Sequence, residues 1–200
     1  MGKVEDSMDK IIQATIRVAF QNGLSNTRTA DIAKEAGVSE GLIFKYFPTK
    51  NHLFTVIIKG VFQRLKAGAD EIITRPDQTA ASRLNALIDF HFDFFSKQYN
   101  IVFLIIGHSD RKMVNLEPII QYALLPYTQL VAGLLQEGIE NGEFRVMNTE
   151  TTAMSIIGTM QFNLIAKLLL KIPGEEMGAT KKEVKEYILS GIKAETDHRQ

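Results

Sequence analysis

Apolar residues recur three and four positions apart along most of this chain, the spacing of one face of an α-helix rather than the alternation of a strand. Ile11, Thr15, Val18 and Ala19 follow this spacing and Gly23 ends it, which predicts a helix over 7–22. Short helices are expected over 28–36 and 40–46. Pro48 then breaks the pattern, and Thr49 is placed to cap a long helix over 50–74 that stops at Arg75-Pro76. Between 84 and 95 the pattern has two readings, because Phe90, Phe92 and Phe94 alternate with His91 and Asp93 as in a half-buried strand. Leu84, Leu87, Ile88, His91 and Phe95 make a helical face of the same residues, and Ala80-Ala81 lead in with strong helix formers, so a helix is expected. Further helices are predicted over 100–112, 117–141, 149–171 and 180–193, with Asn141-Gly142 and Pro173-Gly174 as stops. No strand, repeat or low-complexity tract emerges, and the fold class is all-α.

The segment TRTADIAKEAGVSEGLIFKYFPTK, residues 27–50, carries the clearest chemistry. It divides into two short helices about a tight turn. Ile32, Ala33 and Ala36 form the inner face of the first, with Ala33 small where the second helix crosses. Gly37 can take the left-handed conformation that ends a helix, Val38 packs inward, and the Ser39 hydroxyl can accept from free amides of the next helix. Ile43 and Phe47 return to the shared core. Glu40, Gly41, Leu42, Phe44, Lys45 and Tyr46 are left outward, a face suited to the major groove of duplex DNA. Thr27 or Thr29 could offer a hydroxyl and free amides to a phosphate, and Lys50 a charge.

These residues resemble the TetR (tetracycline-repressor) family of transcriptional regulators. The stretch from Ile32 to Lys50 matches that family's pattern I-A-x-x-A-G-V-S-x-G-x-[LI]-[YF]-x-[YH]-F-x-x-K, and the likeness runs over 11–54. It implies that Thr27, Arg28, Thr29, Ser39, Glu40, Gly41, Leu42, Phe44, Lys45, Tyr46 and Lys50 lie at or beside a DNA interface. It further implies an N-terminal three-helix helix-turn-helix head, 1–49, joined by a long helix to a larger helical ligand-binding and dimerisation domain, 50–200. LLQEGIENGEFR, residues 134–145, is similar to the penultimate helical segments of such regulators. Three positions depart from the family's habits. Glu40 stands where a basic or neutral residue is common, Leu42 where Thr or Ser is, and Phe44 where Tyr is. Glu40 suits a cytosine amino group, and Leu42 or Phe44 a thymine methyl.

Charge sharpens this picture. Lys plus Arg equals Asp plus Glu at 23 each, so no overall basic excess draws the chain to nucleic acid. Within 27–50, four cations face three carboxylates. A single head of this kind would bind weakly, whereas two heads on a symmetric dimer reading a palindromic operator make the second contact effectively intramolecular. The resemblance places that dimer on the last two helices, whose apolar residues Ile156, Ile157, Met160, Leu164, Leu168, Val184, Ile188 and Ile192 equally suit a monomer core. Gly158 and Ala166 would permit close helix approach.

The middle helices are rich in aromatic residues with few polar groups, a composition suited to a small, largely apolar effector. The resemblance implies a pocket there, with Phe90, His91, Phe94, Phe103, Met113, Tyr122, Tyr127, Ile157 and Gln161 as candidate lining residues; core packing explains each of them as well. The triplets His91-Phe92-Asp93 and His108-Ser109-Asp110 invite a metal, but residues two apart on a helix point in different directions, so no metal site is expected. No catalytic constellation or cofactor motif is present, so neither an enzyme nor a cofactor is expected. The absence of cysteine excludes disulfides, and the acidic N-terminus and interrupted apolar runs fit neither a signal peptide nor a membrane span. A cytoplasmic regulator, usually a repressor among similar proteins, with duplex DNA, a second copy of itself and a small molecule as partners is the expectation. The rival reading is a small-molecule-binding protein or enzyme that retains an unused helix-turn-helix.

Overall fold

The computed structural model describes residues 2–23, 25–97, 121, 124–170 and 174–194. Eight helices occur among the described residues: α1 (Gly2–Asn22), α2 (Thr29–Ala36), α3 (Glu40–Tyr46), α4 (Lys50–Ile73), α5 (Ala80–Lys97), α6 (Leu125–Glu140), α7 (Thr149–Leu169) and α8 (Gly174–Ile192). An isolated antiparallel bridge between Phe144 and Lys193 is the extended pairing among the described residues. The helix expected over 100–112 and the start of that over 117–141 lie outside them.

The described residues up to 62 form one compact unit. Its core is the predicted face of α1, where Ile11, Ala14, Thr15, Val18 and Ala19 are buried, closed by Ile32 and Ala33 of α2, Ile43 of α3, and Phe47, Leu53 and Ile57. Gly23, at φ 82°, ends α1 as expected. The helix begins at Gly2 rather than residue 7, because its first turn precedes the apolar pattern on which the periodicity reading rests.

The described residues of 63–97 and from 121 onward form the second unit. Here α5 packs against α6, α7 and α8, and α7 also packs against α6 and α8. Leu84, Leu87, Ile88, His91 and Phe95 are all buried, so the segment of mixed signals is a helix with the face the spacing predicted. Phe92 is buried as well, while Asp93 is exposed. Three ion pairs tie α8 to α5: Lys185 to Asp89 at 2.6 Å, Lys181 to Asp93 at 2.9 Å and Lys181 to Asp89 at 3.6 Å. Helix α8 starts at Gly174, six residues before the expected position. Gly178 and Ala179 are exposed and Thr180 is buried, so the apolar face that periodicity detects begins only there.

The turn after α6 organises the ends of two other helices. Glu143 accepts from the amides of Ala80 and Ala81 at 2.9 Å each, capping α5 from 63 and 62 residues away, while the Arg145 amide donates to the Ile192 carbonyl. Burial alone would push the Glu143 carboxyl up. The Ala81 and Ala80 amides, the Thr79 side chain and the charge of Arg83 outweigh it and hold it below the usual carboxylate range. Gly138 admits the Phe144 ring against α6, where a Cβ would overlap the ring and lie 3.1 Å from Ala80. No described helix is long and apolar enough to cross a membrane.

Candidate nucleic-acid interface and buried polar cluster

The predicted turn and helix caps of the helix-turn-helix have physical counterparts. Gly37 adopts φ 68°, ψ 35°, and the amide of Val38 returns to the Ala33 carbonyl at 3.0 Å, satisfying the last turn of α2. A side chain at residue 37 would strain this left-handed backbone. The Ser39 hydroxyl accepts from the Leu42 amide at 3.2 Å, and Thr49 accepts from the His52 amide at 3.0 Å, capping α3 and α4. Ile43 is buried at 1% exposure and turns α3 so that Glu40, Gly41, Phe44 and Lys45 are exposed, with Leu42 and Tyr46 half-buried. Ile32 and Ala33 are buried as expected, whereas Ala36 and Val38 are only half-buried.

Of the residues before α2, Arg28 is exposed and Thr29 half-buried, but Thr27 is 2% exposed and donates its hydroxyl to the Gly23 carbonyl at 2.7 Å. Its hydroxyl proton is thus engaged within the unit, whereas the sequence reading offers it to a phosphate. Arg28 is the residue preceding α2, and its side chain makes no capping hydrogen bond. Lys50 is half-buried with Nζ 6.0 Å from the centre of the Phe54 ring, and burial lowers its pKa from the usual lysine value.

One carboxylate of the head is paired outside the segment 27–50. Glu35 receives a 2.7 Å hydrogen bond from Arg17 Nε on α1, so its charge is matched within the unit. Arg28, Lys34, Lys45 and Lys50 then face Asp31 and Glu40 only. Sequence reasoning could not find this pair, since the partners lie 18 residues apart on different helices.

In the second unit, three candidate effector residues meet in a buried cluster. His91 Nε2 lies 3.1 Å from Gln161 Oε1 and Nδ1 lies 3.3 Å from the Tyr127 hydroxyl. The amide oxygen can only accept, so Nε2 carries the proton and the tyrosine donates to Nδ1. Burial pushes the His91 pKa down to about 4 against the opposing hydrogen bond from Gln161, and burial raises that of Tyr127. Phe90 and Phe94 are half-buried with ring centres 5.7 Å apart, and Ile157 is 7% exposed. Phe103, Met113 and Tyr122 lie outside the described residues, as does His108-Ser109-Asp110. In the other triplet His91 is buried while Asp93 is exposed and paired with Lys181, and no metal-holding group occurs among the described residues.

The neutral imidazole has a thermodynamic consequence. Above pH 6.5, His91 is uncharged folded and unfolded alike; as pH falls from 6.5 toward 4, only the unfolded chain gains the proton, so stability falls with pH. Over that window the loss should reach about 3 kcal/mol at roughly 1.4 kcal/mol per unit. Urea unfolding of the native protein and of His91→Gln at pH 7 and pH 4 checks this, with the variant expected to lose correspondingly less on acidification.

Comparison with known proteins agrees with this geometry. The model of the bacterial regulatory proteins of the tetR family matches residues 11–57. The chain is 30% identical over 158 residues to the HTH-type transcriptional regulator YvdT of Bacillus subtilis, covering 76% of this chain and 78% of that protein. It is 27% identical over 186 residues to the fatty acid metabolism regulator protein of the same organism, covering 92% and 94%. The crystal structure of FadR from Bacillus subtilis in complex with stearoyl-CoA superposes with a TM-score of 0.80 at 26% identity, covering 92% of this chain and 98% of that one. The head with its capped, outward-facing second helix and the helical unit that follows are thus those of a helix-turn-helix transcriptional regulator, and the chain belongs to the TetR family.

Proposed function

We propose that the protein is a homodimeric repressor that binds a palindromic operator through α2 and α3 and is released from it by a long-chain acyl-CoA. The observation that carries the reading is the α3 face: Ile43 is held in the core and Ser39 caps the helix, which leaves Glu40, Gly41, Phe44 and Lys45 exposed together. Those side chains would read base edges, with Leu42 and Tyr46 at the margin, while Arg28, the unfilled start of α2 near Thr29, Ser39 and Lys50 hold phosphates. Thr27 would act by positioning Arg28 rather than by contact. Residues 1–49 serve as the DNA-binding domain and 50–200 as the effector and dimerisation domain.

Dimerisation is supported by an apolar stripe on α7. Met154 and Phe162 are 52% and 74% exposed. Gly158 lies between the two with open space about its missing Cβ, and Tyr187 on α8 is 71% exposed. Met154, Gly158 and Phe162, at i, i+4 and i+8, share one helical face with a small residue at its centre, which suits a second copy of the same helix.

The acyl-CoA assignment rests on likeness to the fatty acid metabolism regulator and to FadR in complex with stearoyl-CoA. The neutral, fully hydrogen-bonded His91, with the Phe95 ring centre 4.8 Å from its own, suits an uncharged chain better than an ionised head group. Fluorescence anisotropy with duplex DNA from upstream of its own gene tests the reading. Stearoyl-CoA should weaken operator binding by roughly 10-fold or more, within the usual range of allosteric coupling, while free coenzyme A leaves it unchanged. An operator complex indifferent to stearoyl-CoA at saturation would overturn the effector assignment.

A further inference from the structure

Arg83 on α5 is 7% exposed, an unusual place for a guanidinium. Its Nη1 donates to the Ile73 carbonyl at 2.7 Å, and Ile73 is the last residue of α4. Its Nη2 donates to the carboxylate of Glu137 on α6. Among the described residues, the buried Nε has no hydrogen-bond partner. One planar side chain on α5 thus joins the C-terminal end of α4 to α6.

The arrangement is an inefficient way to gain stability. Desolvating a guanidinium is costly, one donor stays unmatched, and the carboxylate partner is 45% exposed and so keeps part of its hydration. A methionine of similar length would fill the space without that cost. What methionine cannot do is hold the final carbonyl of α4, one of the groups a helix leaves free, and place a cation at the negative end of its dipole. Helix α4 has its start at Lys50, beside the helix-turn-helix, and its end at Ile73, beneath Arg83.

We infer that Arg83 is a positioning residue that fixes the C-terminal end of α4 to α5 and α6, so that rearrangement of the effector-binding helices is passed to α4 and the head. The inference rests on the proposed reading of a ligand-released regulator. Two readouts separate the two claims. Without any ligand, Arg83→Met should raise amide exchange in the segment 70–76, where Thr74 bonds to Asp70 and Arg75 to Ile72, by about 10-fold, while the interior of α6 exchanges as in the native protein. Unchanged exchange in that segment overturns the inference whatever any ligand does.

The second readout is the ratio of operator dissociation constants with and without stearoyl-CoA. In a native protein that responds, this ratio should fall to within about twofold of one in Arg83→Met, with the melting temperature and stearoyl-CoA affinity little changed. Full retention of the ratio overturns the inference. A native protein that shows no response instead defeats the effector reading and leaves exchange to decide the role of Arg83. Arg83→Lys retains the charge but cannot span both acceptors, so it should also lose coupling, and it carries both measurements if the methionine variant does not fold. Normal coupling and exchange in Arg83→Lys overturn the fork-like role.

Discussion

Phe162→Glu is expected to turn a dimer into a monomer and, through that change alone, to reduce operator affinity by roughly 100-fold or more. The expected size follows from linkage. A second head tethered to the first binds at a high effective concentration, and joining two sites typically multiplies affinity by about 10²–10⁴. Phe162 is 74% exposed on the α7 stripe, and each copy would bury one such ring, worth about 1.5–3 kcal/mol per side chain. Placing two carboxylates against each other at the symmetry axis would reverse that gain. Exposure of Phe162 makes the test clean, because the substitution removes no described core packing and each chain should melt at nearly its native temperature. Sedimentation velocity with circular dichroism decides it: a variant that stays dimeric would remove α7 from the interface.

Lys50→Ala should produce the second large effect and leave the dimer intact. If Lys50 neutralises one phosphate in each half-site, its loss removes two contacts per dimer, and the slope of log K against log salt should become shallower by about 2. At low salt the affinity should fall by roughly 10-fold or more, to a similar extent for operator and unrelated DNA, because a phosphate contact positions the head without reading sequence. Glu40→Gln should behave differently, changing which bases are preferred while altering the salt slope little. An unchanged slope for Lys50→Ala would mean that the lysine, half-buried against Phe54, serves the fold.

The head was legible because its decisive interactions are local. Gly37, Ser39 and Thr49 act on amides and carbonyls within four residues, so their identities alone set the ends of α2, α3 and the start of α4. The α5 ambiguity resolved correctly because a helical face needs Leu84, Leu87, Ile88, His91 and Phe95 together, whereas alternation accounts for only part of that set. What escaped was long-range or polar. Glu35 finds Arg17, Glu143 caps a helix 63 residues away, and Arg83 meets Glu137 across 54 residues; none of these partners has a periodic signature. The early parts of α1 and α8 escaped because they precede the apolar spacing from which each helix is read. For the candidate effector residues, spacing could identify His91 and Gln161 as polar groups on apolar helices, but not that each would satisfy the other from 70 positions away.

As a DNA-binding head, α2 and α3 should read a specific base sequence. Anisotropy of the native protein on a duplex from upstream of its own gene, against a duplex of the same composition in scrambled order and at physiological salt, tests it most directly. Operator binding at least about 10³-fold tighter than binding to scrambled DNA is expected. Equal affinity for the two duplexes would contradict it.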